Sequence, residues 1–174
     1  FRNACSSMKA LFTLLFSFFI IISQGQTFSS NPLFAALGKT LSKKEFKELA
    51  DMKCYVASRV QVVSKQNDIS FSLILETQTL ESIDLREGFL EREPYLSNPI
   101  LGIRSELNYP DTRKLIHEST GVSKLSAPNK DSRHFSFYYH LAGESSNLYF
   151  NVYFKKDDAD QITVNRISFS KIKE

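Results

Sequence analysis

Apolar and polar positions alternate most regularly between His134 and Phe169. Phe135, Phe137, Tyr139 and Leu141 alternate with His134, Ser136, Tyr138 and His140, and Leu148, Phe150, Val152 and Phe154 alternate with Tyr149, Asn151 and Tyr153. Residues two apart share one face of a strand, so each run has an apolar face and a more polar one. The turn clusters Gly143-Glu144-Ser145-Ser146-Asn147 and 155–160 separate these runs from each other and from a third, which carries Ile162, Val164 and Ile167-Ser168-Phe169. Polar turns between alternating runs predict antiparallel hairpins. The stretch reads as a three-strand meander with one side packed on a core.

A second meander precedes it. The Val-rich run 53–65 reads as one strand, ending at the turn residues Gln66-Asn67-Asp68. The run 69–76 reads as the next strand, its Ile69-Ser70-Phe71-Ser72-Leu73 alternating, and in the run 80–86 Leu80, Ser82 and Asp84 share one parity while Ile83 and Leu85 share the other. Helix signals stand before each meander. Asn31-Pro32 supplies an N-cap followed by proline, predicting a helix over 32–37 that Gly38 ends. Ser42 and Glu45 have the spacing of a capping box, predicting a helix over 43–51 with Phe46 and Leu49 on one face. Asn108-Tyr109-Pro110 repeats the cap-and-proline signal, predicting a helix over 110–119 that buries Leu115 and Ile116 and closes at Gly121. The stretches 87–99 and 122–133 read as a connector and a polar loop.

The fold class is therefore α+β: two tandem units, each a helix plus an antiparallel three-strand meander, able to join into one continuous sheet with helices on one face. The units span residues 26–92 and 93–174. Leu37-Gly38 and Leu101-Gly102 stand at the same place in both, as a duplicated unit would have it; chance agreement in the order of elements is the competing explanation.

The first 25 residues have a different character. Lys9 follows Met8, an apolar run of about 13 residues comes next, and Ser23-Gln24-Gly25-Gln26 ends it, the order of a secretory signal peptide. A membrane span needs roughly 20 apolar residues, so the run is short for an anchor and no span is expected after cleavage; an uncleaved anchor is the alternative. The expected location is exported, periplasmic or secreted. Cleavage would remove Arg2 and Lys9, leaving 20 basic against 19 acidic residues and a net charge near +1. No run of Lys or Arg suits the tracking of phosphates, which argues against a nucleic-acid partner. Cys54 would be the only cysteine left. It lies in an apolar run with no basic neighbour to activate it, and reads as a buried small side chain rather than a nucleophile.

Asn31-Pro32-Leu33-Phe34-Ala35-Ala36-Leu37-Gly38-Lys39, then Tyr95-Leu96-Ser97-Asn98-Pro99-Ile100-Leu101-Gly102-Ile103, then Gly121, resemble a group of tandem αβ bacterial proteins. In that group a Leu-Gly helix unit with hairpins is followed by Y-x-x-x-L-P-x-G-L, a second helix and more hairpins. The resemblance implies the β-lactamase-inhibitor-protein-like fold, also seen singly in small outer-membrane-assembly lipoproteins. It further implies protein binding through a concave sheet, without catalysis. Asn98-Pro99-Ile100-Leu101-Gly102 stands here for the group's proline-glycine pattern, and the second helix ends Ser119-Thr120-Gly121 rather than Leu-Gly. No binding residue carries over.

Catalytic chemistry has little to stand on. His134 and His140 share a strand face about 20 Å apart at ~3.3 Å per residue, too far for one metal ion. With no H-x-x-x-H and no paired cysteines, neither a metal site nor a cofactor is expected. His117 falls in the last turn of a predicted helix, where a cation suits the dipole. Asp157-Asp158-Ala159-Asp160 lacks the glycine and terminal glutamate of a calcium loop, and Gly-x-Ser-x-Gly is absent. Parity instead gathers Ser136, Tyr138 and His140 with Tyr149, Asn151 and Tyr153 on the face turned from the core. Tyrosine is favoured at protein interfaces, so this is the candidate partner surface. The expected function is that of a non-catalytic exported protein-binding module of the bacterial envelope, including inhibitor- or immunity-like roles. The alternative is a periplasmic domain that binds a small ligand or lipid in an apolar pocket.

Overall fold

The computed structural model describes residues 31–122, 124–126, 133–140, 146–156 and 160–173. The expected signal segment, the turn at 141–145, the turn acids Asp157 and Asp158, and most of the loop 122–133 lie outside the described residues. The described chain is α+β. Its seven strands form one antiparallel sheet: β1 (Cys54–Ser58), β2 (Gln61–Ser64), β3 (Ile69–Leu73), β4 (Leu80–Arg86), β5 (His134–His140), β6 (Ser146–Lys156) and β7 (Ile162–Lys173). Their spatial order is β1-β2-β3-β4-β7-β6-β5. Among the described residues no helix is long and apolar enough to cross a membrane.

Helix α1 (Pro32–Ala36) begins where its cap signal stands, with the Asn31 side chain accepting from the Leu33 N–H. Helix α2 (Lys43–Ala50) carries the full capping box: Ser42 Oγ accepts from the Glu45 N–H, and the Glu45 carboxylate accepts from the Ser42 N–H. These bonds hold the Glu45 carboxyl below its ordinary pKa. Helix α4 (Tyr109–Thr120) ends at Gly121, whose φ of 72° is the left-handed conformation that a side chain would strain.

Two expectations are corrected. The run 53–65 is a hairpin, β1 and β2, not one strand. Its chain reverses at Arg59-Val60, where the Ser58 hydroxyl accepts from the Val60 N–H. A Ser-Arg-Val turn carries no glycine or proline to announce it, which is why the valines read as continuous. The first unit thus contributes four strands rather than three. The connector after β4 is also more than a linker. It opens with helix α3 (Glu87–Leu90), buries Phe89, Leu90 and Tyr95, and donates the Tyr95 hydroxyl to the Ile103 carbonyl at 2.7 Å. Burial pushes the Tyr95 phenol well above its ordinary pKa.

Strand parity decides which face meets the helices. The register sets Val62, Phe71, Ile83, Phe169, Phe150 and Phe137 in one row across six strands, all buried. Phe34 of α1 packs on Phe150 and Phe169, Phe46 of α2 on Phe71, and Tyr109 of α4 on Phe135 and Phe154. Helices α1, α2 and α4 therefore cover the same sheet face, and one hydrophobic cluster runs through both halves of the chain.

Three strands break the period of two. In β1, Val56 pairs with Val62 while Ser58 pairs with Gln61, so Ala57 is an extra residue. In β4, Leu80 pairs with Leu73 while Ser82 pairs with Ser72, so Glu81 is an extra residue. In β7, Val164 pairs with Phe154 while Arg166 pairs with Tyr153, so Asn165 is extra. An inserted residue shifts parity by one. Leu80 and Ile83, three apart, both reach the core, as do Val164 and Ile167. Leu80 was expected on the face of Ser82 and Asp84; the bulge at Glu81 turns it inward.

Candidate functional site

The face turned from the helices is built of three polar rows. One crosses Tyr138, Tyr149, Ser170, Ser82, Ser72 and Gln61; the next crosses Ser136, Asn151, Ser168, Asp84 and Ser70; the third crosses His134, Tyr153, Arg166 and Arg86. Tall side chains stand on β5 and β6. The same rows carry short serines on β7, β4 and β3, so the face steps down from an aromatic shelf to a serine-lined floor.

Ring contacts organise the shelf. His134 stacks on Tyr153 with centroids 5.0 Å apart and planes 25° apart. The Arg166 guanidinium lies 4.7 Å from the Tyr153 ring centroid on its other strand neighbour. Arg166 also donates from Nε to Asp84 Oδ1 at 2.9 Å, with a second guanidinium nitrogen on Oδ2. A chain of four side chains, His134–Tyr153–Arg166–Asp84, thus spans β5, β6, β7 and β4. Tyr138 and Tyr149 form a second pair at 4.8 Å. Such pairs hold their rings in place before any partner arrives, which lowers the ordering cost of binding.

The predicted residues fall at different depths. Tyr138 is 62% exposed and is the most open of them. Tyr149, Asn151 and Tyr153 are half-buried side by side on β6. His140 is exposed, its Nδ1 lying 2.9 Å from Asn147 Oδ1. Ser136 was expected on the open face, but it is buried. Ser126 pairs with it through two backbone bonds of 3.0 Å and brings their hydroxyls to 2.8 Å, so the segment 124–126 covers the edge of β5 there. Arg166 and Asp84 escaped the sequence reading. The inserted Asn165 hides the parity that puts Arg166 beside Tyr153, and the pairing of β4 with β7 is nowhere written in local sequence.

Chemically, this face offers aromatic surfaces, amide and hydroxyl groups, and an arginine held by its carboxylate. Among its described residues no serine hydroxyl is hydrogen-bonded to a histidine or a carboxylate. Away from it, the Cys54 thiol donates to the Phe46 carbonyl at 3.6 Å. Burial, and then the charge of Asp68, push that thiol above its ordinary pKa, which disfavours the reactive thiolate. His117 sits in the last turn of α4, its carbonyl accepting from the Gly121 N–H. Among the described residues no three His, Cys, Asp or Glu side chains gather as metal ligands would. A cleft of about 190 Å³ opens beside Cys54 between α2 and the end of the sheet.

Comparison with protein-family models, with curated proteins and with solved structures finds no match to this chain.

Proposed function

We propose that this chain is a non-catalytic, exported protein-binding module of the bacterial envelope, with the inhibitor or immunity role as its narrower form. The observation that carries the proposal is the outer sheet face, where Tyr138, Tyr149 and Tyr153 stand pre-paired on one side of a serine-lined floor. Tyrosines held in place give large contact area at low entropic cost, and they are enriched at interfaces. The near-neutral net charge after removal of residues 1–25 favours a contact of this kind over one steered by long-range charge.

The tandem organisation belongs to the same proposal. Units 26–92 and 93–174 each end in a strand of one pattern: Leu80-Glu81-Ser82-Ile83-Asp84-Leu85 and Val164-Asn165-Arg166-Ile167-Ser168-Phe169. Each has its extra residue one place after the first core side chain, against the strand that precedes it. These two strands meet antiparallel at the middle of the sheet. Matching bulges at matching places support duplication of one unit, and with it the resemblance to tandem αβ inhibitor-like proteins.

The ligand- or lipid-binding reading can draw on two hollows: one of about 310 Å³ beside Arg113, Lys114, His117 and Val122, which is shallow and open to solvent, and the cleft beside Cys54. Its volume of about 190 Å³ falls below the roughly 300–1,000 Å³ of small-molecule sites.

The test is capture from an envelope extract by the full chain and by a Tyr138→Ala/Tyr149→Ala/Tyr153→Ala variant. The expected result is a stoichiometric protein partner on the native chain and at least a tenfold loss on the variant, with the variant still folded by circular dichroism. Equal capture by both would remove this face from the proposal. A co-purifying lipid in native mass spectrometry, with no protein partner, would favour the ligand-binding reading.

A further inference from the structure

The two edges of the sheet differ. The β5 edge is partly covered by the segment around Ser126. The β1 edge has β2 on one side and no strand of the described residues on the other. An open edge presents a row of unpaired backbone N–H and C=O groups.

The core is also open at this edge. Val56 pairs with Val62 and therefore points to the helix-covered side of the sheet, yet it is 65% exposed while Val62 is buried. The sheet stops one strand short of covering it. The cleft beside Cys54 lies here, with Leu41, Phe46, Val56, Val62 and Leu73 as its apolar walls. Lys43 and Arg59 stand at its rim; both are exposed, and neither makes an ion pair among the described residues. The stretch 39–65 carries seven basic residues against three acidic ones.

We infer that the β1 edge receives an extended segment of another protein whose cleft-facing side chains, every second residue, are an apolar one between acidic ones. The segment pairs with β1 through backbone bonds, sets an apolar side chain into the cleft over Val56, and brings carboxylates to Lys43 and Arg59. Strand addition of this kind draws affinity from the backbone and selectivity from alternate side chains. Charge argues against a second copy of this chain as the occupant. A second copy would bring this basic stretch against its own like, and like charges across a ladder are destabilising. This site is separate from the tyrosine face and does not depend on the reading given to that face.

The test uses the full chain and a fluorescein-labelled eight-residue peptide whose every second residue runs Glu, Leu, Glu, Leu with serines between, followed by fluorescence anisotropy, with hydrogen exchange read at the outward amides of β1. Saturable binding is expected, with new protection on β1. Binding should weaken at least tenfold for the Leu/Lys counterpart peptide and for a Lys43→Glu/Arg59→Glu variant, whose changes fall on exposed side chains that leave the fold in place. Absence of saturable binding, or equal binding of the two peptides, would overturn the inference. So would protection of the β1 amides before peptide is added: concentration-dependent protection would assign the edge to a second copy, and concentration-independent protection to this chain's own residues.

Discussion

Asp68→Ala is expected to remove about 3–5 kcal/mol of folding stability, the range for breaking one side of a buried ion pair. The carboxylate accepts from Ser64 Oγ at 2.5 Å and from Arg92 Nε at 3.0 Å. Its side chain is only 7% exposed, and that of Arg92 24%. Arg92 does further work, donating to the Ala50 carbonyl at 2.8 Å and lying 4.5 Å over the Phe89 ring. This one cluster ties the β2–β3 turn, the end of α2 and the connector together. Without Asp68, the Ser64 hydroxyl and the Arg92 guanidinium lose their partner while still largely out of water. Urea unfolding measures the loss. An Asp68→Ala/Arg92→Met double variant should be less destabilised than the sum of the singles, because removing the second charge relieves the first defect. A loss below about 1 kcal/mol for Asp68→Ala, the level of an exposed pair, would contradict this account of the connector.

Phe150→Ala carries the second large effect, again about 3–5 kcal/mol by analogy with other buried phenylalanines. Phe150 is fully buried on β6. Its ring stacks on Phe137 with centroids 5.0 Å apart and planes 4° apart, and it meets Phe169 at 5.5 Å and Phe34 at 5.7 Å. Truncation would leave a cavity where β5, β6, β7 and α1 converge. The neighbouring rings are fixed by their own strands and cannot collapse into it at no cost. Phe150→Leu keeps most of the volume and should lose much less. Urea midpoints of the two variants make the comparison; near-equal midpoints would mean that this is not the centre of the core.

What was legible in the sequence follows from the range of the forces involved. The helix starts are local: Asn31-Pro32, Ser42 with Glu45, and Asn108 before Pro110 each satisfy backbone groups within one turn, and each stands at a helix start in the structure. The alternation through 134–154 is also local, since parity needs only a strand. The Arg59-Val60 reversal lacks turn residues, so hydrophobicity alone ran β1 into β2. The bulges at Glu81 and Asn165 left a trace, two core residues three apart instead of two, and reading that trace would have placed Leu80 inward and Arg166 beside Tyr153. The burial of Ser136 depends on contact with Ser126, ten residues away, and the Asp84–Arg166 pair bridges 82 residues. No local pattern encodes such contacts. Part of the candidate face, Tyr138 with Tyr149 and Tyr153, could be written down from parity; the arginine and aspartate that complete it required the sheet order.

If the tyrosine face meets a protein, a photo-crosslinking phenylalanine derivative placed at position 138, and separately at 149, will capture it in cells that make the full chain, with position 118 on α4 as an exposed control. One discrete protein adduct of the same mass is expected from 138 and 149, and none from 118. No adduct from either sheet position, or the same adduct from position 118, would contradict a protein-binding role for this face.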